Sequence, residues 1–379
     1  MTDQNVPRQI LLTPGPLTTA EPTRRAMLRD WGSRDGAFIA MTARVRQRLT
    51  ALAGGADSHV CVPVQGSGTF AVEATIGTLV SRETSKALVL VNGAYGRRIV
   101  RICEVAGRAY SVYETAEDTP PDPTRVAAML ADDAALTHVV LVHCETTSGI
   151  LNPLAEIAGV VEAAGRKLIV DAMSSFGALE IDCRALRIEA VIASANKGLE
   201  GTPGLGYAII EKQALAAAKG NAHALSLDLF DQHEYMERTG QWRFTPPTHV
   251  LAALDAALEA HQAEGGVAAR GARYSGNRDI LLNGLRALGF ETFLPDALQA
   301  PVIVTVRMPA DPEFSFQTLY DALNAQGIVL YPGAVTQEKS FRIGCIGQVF
   351  AADMRRTIDA IAAALDDMGV TPTGLKPAA

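Results

Sequence analysis

No apolar run in this 379-residue sequence approaches the length of a bilayer span, and Thr2 to Gln9 is polar, without the apolar core of a secretory signal. The expected setting is the cytosol. Cysteine is scarce: Cys61, Cys103, Cys144, Cys183 and Cys345 are odd in number and form no Cys-x-x-Cys pair. Most lie in apolar runs, which favours reduced core thiols over a disulfide framework, and no metal site is called for. There is no cationic excess either. Lys plus Arg is 34 against 41 Asp plus Glu, a net charge of −7, which argues against a polyanion-binding surface. Neither nucleic acid nor a membrane is an expected partner. Internal repeats and low-complexity segments are missing, apart from a frayed tail after Gly369.

What is present is the composition of an ordinary globular protein, 48% hydrophobic and 20% charged. The length exceeds what one growing core supports, so two domains are expected. Apolar runs rich in Val, Ile and Leu occur at 59–64, 87–92, 108–113, 137–143, 167–172, 189–194 and 205–211. Amphipathic stretches such as 69–80, 123–131 and 153–164 lie between most of them. That alternation predicts an α/β fold, a mainly parallel sheet with helices on both faces. The link from 194 to 205 has no room for a crossover helix, so 205–211 is expected as an antiparallel edge strand. Helices follow at 246–263 and 267–288, broken at Gly265-Gly266. The remainder reads as a smaller α+β domain, with strands at 301–307, 328–331 and 341–345 and helices at 315–326 and 351–368. The expected division is an N-terminal arm over 1–20, a large domain over 21–265, a small domain over 266–370 and a tail over 371–379. A first strand at 10–12 leads into Thr13-Pro14-Gly15-Pro16, a turn-rich loop.

Candidate chemistry gathers where these strands end. Asp171 closes one run, and Lys197, in Ser194-Ala195-Asn196-Lys197, follows the next. Pyridoxal phosphate chemistry needs such a pair: an amine to hold the aldehyde as a Schiff base and a carboxylate to keep the pyridine nitrogen protonated. Taken singly, Asp171 could be a helix N-cap and Lys197 an exposed loop lysine; their shared sheet edge changes those odds. Gly66-Ser67-Gly68-Thr69 opens a helix after a strand, where backbone amides can approach a phosphate. Tyr95, in Asn92-Gly93-Ala94-Tyr95-Gly96, could stack on a flat cofactor or simply begin a helix. His143 to Gly149 is dense in hydrogen-bonding groups, most of which satisfy loop backbone. Arg342 lies in a short apolar strand and must be paired, with a carboxylate ligand or in a structural salt bridge. Thr245 binds an anion or caps the helix after it. Ser194-x-x-Lys197 also matches a serine acyl-enzyme motif, but its Ser-Asp-Asn and Lys-Thr-Gly partners are absent.

In this order the motifs resemble the class V group of fold-type-I pyridoxal phosphate aminotransferases, from about Leu11 to Met368. The likeness rests on 12–19, 65–69, 92–96, 145–149, 170–177, 194–197, 225–229, 242–245, 265–270 and 341–344. The resemblance implies that Lys197 is the Schiff-base lysine and Asp171 the pyridine-nitrogen partner. It places Ser67, Gly68 and Thr69 at the cofactor phosphate, and brings Thr245 to that phosphate from the other subunit of a homodimer. Tyr95 falls on the ring face, while Thr147, Met173 and Ser194 are expected beside the cofactor. Arg342 is implied to grip the carboxylate of pyruvate or alanine, with Thr13 and Gly15 at the substrate end. The implied reaction is transamination of 2-aminoethylphosphonate with pyruvate. Alanine– or serine–glyoxylate transamination and a phosphonate lyase reaction are the alternatives. Two stretches depart from the pattern: 31–38, where Arg34 replaces an expected aromatic, and 198–201.

Overall fold

The structure is a computed structural model that describes residues 9–331 and 337–371, so the first part of the expected arm and all but one residue of the tail lie outside it. The seven apolar runs become one seven-stranded sheet. Its strands are β1 (His59–Gln65), β2 (Lys86–Val91), β3 (Ala109–Glu114), β4 (His138–Val142), β5 (Lys167–Asp171), β6 (Ile188–Ser194) and β7 (Leu205–Glu211). The order across the sheet is β1-β7-β6-β5-β4-β2-β3. Strands β2 to β6 pair in parallel, whereas β7 runs antiparallel to both β6 and β1.

The antiparallel direction of β7 agrees with the short link before it; the expected edge position does not. Strand β1 lies outside β7, paired from Gln65↔Leu205 to His59↔Glu211. The physical reason is in β7 itself. Its Leu-Gly-Tyr-Ala-Ile-Ile run is buried throughout, and a strand with no polar alternation needs cover on both faces and both edges. The edge opposite β1 is β3, whose residues are exposed or only half-buried.

Alternate residues of the strands feed two cores. Leu88, Leu90, Leu141, Val170 and Val191 point to one face, and Val89, Val91, Val140, Ile169 and Ile192 to the other. The second face carries α1 (Gly68–Leu79) and α2 (Ala94–Val105). The sequence reading did not place the helices Gly36–Leu52 and Leu229–Thr239. Each nonetheless begins at an aspartate cap, Asp35 or Asp228, whose carboxylate accepts a first-turn N–H.

A third core surrounds Phe341, Ile343, Val304, Leu319 and Ile361. It joins the antiparallel pair Ile303–Arg307 and Ser340–Gly344 to the helices Phe316–Ala325 and Ala351–Met368 and to α3 (Gly266–Ala287). Ile10 and Leu12 belong to this core, and Ile10–Leu11 pairs in parallel with Ile328–Val329. The Thr13–Pro16 loop therefore starts from the third core and reaches across to the sheet. All five cysteines are free and buried.

Candidate active site

The carboxyl ends of β1, β5 and β6 open onto one cavity of about 520 Å³. Strand ends of this kind are where open α/β sheets bind ligands. Asp171, the last residue of β5, lines the cavity and is 5% exposed. The Met173 N–H donates to its Oδ1 at 2.9 Å, and its other oxygen has no protein partner among the described residues. Burial raises the Asp171 carboxyl to about 6, against the Met173 N–H that favours the charged form. Lys197, three residues after the end of β6, lines the same cavity, with Nζ donating to the Pro14 carbonyl. Burial first, then the positive charge of Arg342, lower its amine to about 8, while the Asp171 charge works in the opposite direction. A lysine so placed is neutral often enough to attack an aldehyde.

Gly15 approaches this amine in a way no other residue allows. Its φ is +115°, and a Cβ there would lie 2.9 Å from Lys197 Nζ and 3.0 Å from the Asn196 carbonyl. Gly68 is similarly hemmed in, since a Cβ would fall 2.3 Å from Met173 Sδ. Ser67 precedes α1 without capping it through its side chain, so the positive end of the helix is turned to the cavity with its hydroxyl uncommitted to the helix. Thr69, Tyr95, Met173 and Ser194 complete the part of the wall that the sequence pointed to.

Sequence reasoning missed Arg98. It lines the cavity, donates from Nη1 to Thr69 Oγ1 at 3.2 Å and lies 4.8 Å over the Tyr95 ring. The available signal was spacing: on a helix starting at Ala94, residues 95 and 98 share a face. Asn196 and Tyr331 are further lining residues that the reading did not single out.

Four expected residues are not on the cavity wall. Thr147 is buried, with its hydroxyl donating to Glu145 Oε1 at 2.5 Å and accepting from the Ala94 N–H at 2.9 Å. It ties the start of α2 to the neighbouring loop. Thr13 donates to the Pro16 carbonyl at 2.5 Å and so shapes the loop that carries Gly15. Thr245 lies in separate grooves, one with Phe70 and Phe244 and one with Arg34 and Arg243. Arg342 is 4% exposed, donates from Nη1 to the Thr146 carbonyl at 2.8 Å and packs 5.6 Å from the ring of Tyr331. Its Nε is buried with no partner among the described residues. Among the described residues it forms no salt bridge, although the Glu145 carboxylate acts on its charge, and its Nε can meet an anion beside the cavity.

A family model described as aminotransferase class-V matches residues 24–347. The chain belongs to the class-V aminotransferase family. It is an aminotransferase, and the family's cofactor is pyridoxal phosphate. This class-V aminotransferase is 57% identical over 361 residues to a 2-aminoethylphosphonate–pyruvate transaminase of Pseudomonas putida strain F1, covering 95% of this chain and 98% of that one. It is 56% identical over 366 residues to the protein of that name from Pseudomonas fluorescens strain Pf-5, covering 97% and 99%. Among solved structures it resembles pyridoxamine–pyruvate aminotransferase from Mesorhizobium loti, with 25% identity, a TM-score of 0.88 and coverage of 98% and 95%. Alanine–glyoxylate aminotransferase from Nostoc sp., at 23% identity, a TM-score of 0.86 and coverage of 98% and 97%, shares the fold. The residues fit the cofactor. A helix N-terminus with glycine backbone at its start suits a phosphate, a buried carboxylate suits a pyridinium, and a lysine with a lowered pKa suits an aldehyde.

Proposed function

We propose that this aminotransferase moves the amino group of 2-aminoethylphosphonate to pyruvate, giving phosphonoacetaldehyde and L-alanine. The observation that carries the reading is the 57% identity over nearly the whole chain to transaminases of that name, joined to a cavity that holds Asp171 and Lys197, with Arg342 nearby. When bound, pyridoxal phosphate supplies an aldehyde for amines and a ring that withdraws electrons.

The chain's own residues then divide the work. Asp171 would keep a proton on the ring nitrogen. The backbone of Ser67, Gly68 and Thr69, with Arg98 beside them, would hold the phosphate. Tyr95 would cover the ring, and Met173 and Ser194 would bound the cofactor. Lys197 would take the proton from the donor carbon next to nitrogen and return it as an acid. Arg342 receives the carboxylate of pyruvate as a planar fork. Thr13 and Thr147 act at one remove, by fixing the loop of Gly15 and the start of α2. We further propose that two copies assemble, each lending Thr245 to the phosphate of the other, and that the enzyme is cytosolic. The divisions near residues 20, 265 and 370 belong to the same proposal.

The test is a screen of amino donors and keto acceptors with the cofactor spectrum followed. Pyruvate-dependent release of phosphonoacetaldehyde supports the reading. Consumption of alanine or serine with glyoxylate, in the absence of that release, replaces it with a glyoxylate aminotransferase. Release of phosphate without a keto acid replaces it with a lyase. Lys197→Ala is expected to lose the visible band of lysine-bound cofactor together with turnover, and retention of both sinks the lysine assignment.

A further inference from the structure

Three residues past Lys197 the backbone enters a region that L side chains avoid. Glu200 has φ +58° and is 2% exposed. A non-glycine residue held there needs its surroundings to over-determine it. The surroundings are a closed set of hydrogen bonds. The Glu200 N–H donates to the Lys197 carbonyl at 2.8 Å, closing the lysine turn. Its Oε1 accepts from Arg273 Nη2 and from the Tyr274 hydroxyl, each at 2.7 Å, and Oε2 accepts from Gln348 Nε2 at 2.6 Å. Arg270, 1% exposed, donates to the Gly198 carbonyl at 2.6 Å from Nη1, which lies 3.4 Å from Glu200. Glu264 pairs with both arginines at 2.7 Å. The cations and carboxylates of the cluster thus balance, two against two.

The other end of this cluster grips the segment that follows the strand bearing Arg342. Arg273 donates from Nη1 to the carbonyls of Gly347 and Val349, at 2.5 and 3.1 Å. The Tyr274 hydroxyl also accepts from the Gly347 N–H at 3.3 Å. These residues immediately follow the strand Ser340–Gly344, which carries Arg342. On α3, positions 270, 273 and 274 share one face, so a single rigid helix face holds both segments.

We infer that Glu200 is a positioning residue that couples the Lys197 turn to the strand bearing Arg342, so that the proton-transfer group and the carboxylate-binding group are set in place together. The inference rests on the proposed reaction for the roles of those two groups. Without Glu200 the turn keeps only the Arg270 bond to the Gly198 carbonyl as its hydrogen-bonded tie to α3, and α3 keeps two arginines facing one carboxylate.

The experiment follows the donor and acceptor half-reactions of the holoenzyme separately by cofactor absorbance. Glu200→Gln is expected to slow the donor half-reaction about tenfold or more and to raise KM for pyruvate about fivefold. Tyr274→Phe, which removes one bridging oxygen and keeps the ring, moves both in the same direction by less, and carries the test if Glu200→Gln does not fold. In a cycle with Arg342→Lys, the double variant is expected to lose at least about fivefold less than the product of the single losses. Losses that multiply, or a change in Tm with kcat and KM per folded holoenzyme unchanged, overturn the coupling. If the wild-type enzyme converts no amine with pyruvate, the proposed reaction fails instead. Coupling is then read from the rate at which apoprotein gains the lysine-bound band with pyridoxal phosphate, expected to be about fivefold slower in Glu200→Gln, and an unchanged rate refutes it.

Discussion

At the scale of single residues, the site holds two groups in protonation states their surroundings resist. Asp171 is raised to about 6 from 3.8, chiefly by burial, and Lys197 is lowered to about 8 from 10.5, also chiefly by burial. For the apoprotein the signs follow by linkage. Between about pH 3.8 and 6 the folded carboxyl keeps a proton that the unfolded one has released, so stability falls as pH rises. Between about pH 8 and 10.5 the unfolded lysine keeps a proton that the folded one has released, so stability rises again. Near neutrality both groups weigh against folding. Asp171→Asn keeps an acceptor for the Met173 N–H and removes the buried charge, so the apo variant should be more stable than wild type at pH 7, by on the order of 3 kcal/mol. Near pH 4 the gap should close, and holoenzyme turnover should fall by about 100-fold or more for want of a charged partner to the ring nitrogen. Thermal unfolding of apoprotein at the two pH values checks this, and equal stability at pH 7 refutes it. Asp171 and Lys197 were legible in the sequence because strand ends are. Arg98 was not, because an exposed arginine on a polar helix face looks like any other solvated cation until the fold puts it over Tyr95.

At the scale of elements, most strands and many helices were legible from apolar periodicity, and the exceptions have a common cause. The position of β7 depends on which strand lies outside it, a long-range pairing that its own residues only hint at. The start of α2 is similar. Its N-cap, Gly93, offers no side chain, and the cap comes instead from Glu145, in a different segment. That carboxylate accepts from the N–H groups of Tyr95 at 3.1 Å, Gly96 at 3.2 Å and Thr147 at 3.0 Å, and from the Thr147 hydroxyl. A Cβ on Gly93 would lie 2.5 Å from the Glu145 carboxyl, so the glycine makes the room. Glu145→Ala leaves these donors buried and unpaired, and should cost about 2–4 kcal/mol in denaturant unfolding. Because α2 carries Tyr95 and Arg98, the affinity for pyridoxal phosphate should fall with it, while Glu145→Gln, retaining an acceptor, should lie between. An unchanged unfolding midpoint in Glu145→Ala refutes the capping role.

At the scale of the whole molecule, the chain leaves Thr245 in grooves apart from its own cavity, and that displacement makes the assembly testable. Thr245 lines a groove of about 530 Å³ with Gln65, Phe70, Trp242 and Phe244. Phe70 is 49% exposed, Phe244 50% and Leu225 75%, and the proposed pairing of two copies would cover such apolar side chains. Composition and periodicity could not show this exposure, since a surface aromatic and a core aromatic are the same letter. If each site joins Lys197 of one copy to Thr245 of another, defects in the two residues complement. A Lys197→Ala subunit paired with a Thr245→Ala subunit has one site carrying both defects and one carrying neither. Random mixing makes half of the dimers hybrid, so activity should return to about a quarter of wild type although the Lys197→Ala parent is inactive and the Thr245→Ala parent is weakened in cofactor affinity. Mixed and unmixed preparations assayed at limiting pyridoxal phosphate read this directly. Mixtures no more active than the average of their parents, after subunit exchange is shown by mass, place Thr245 in its own copy's structure and remove it from the site.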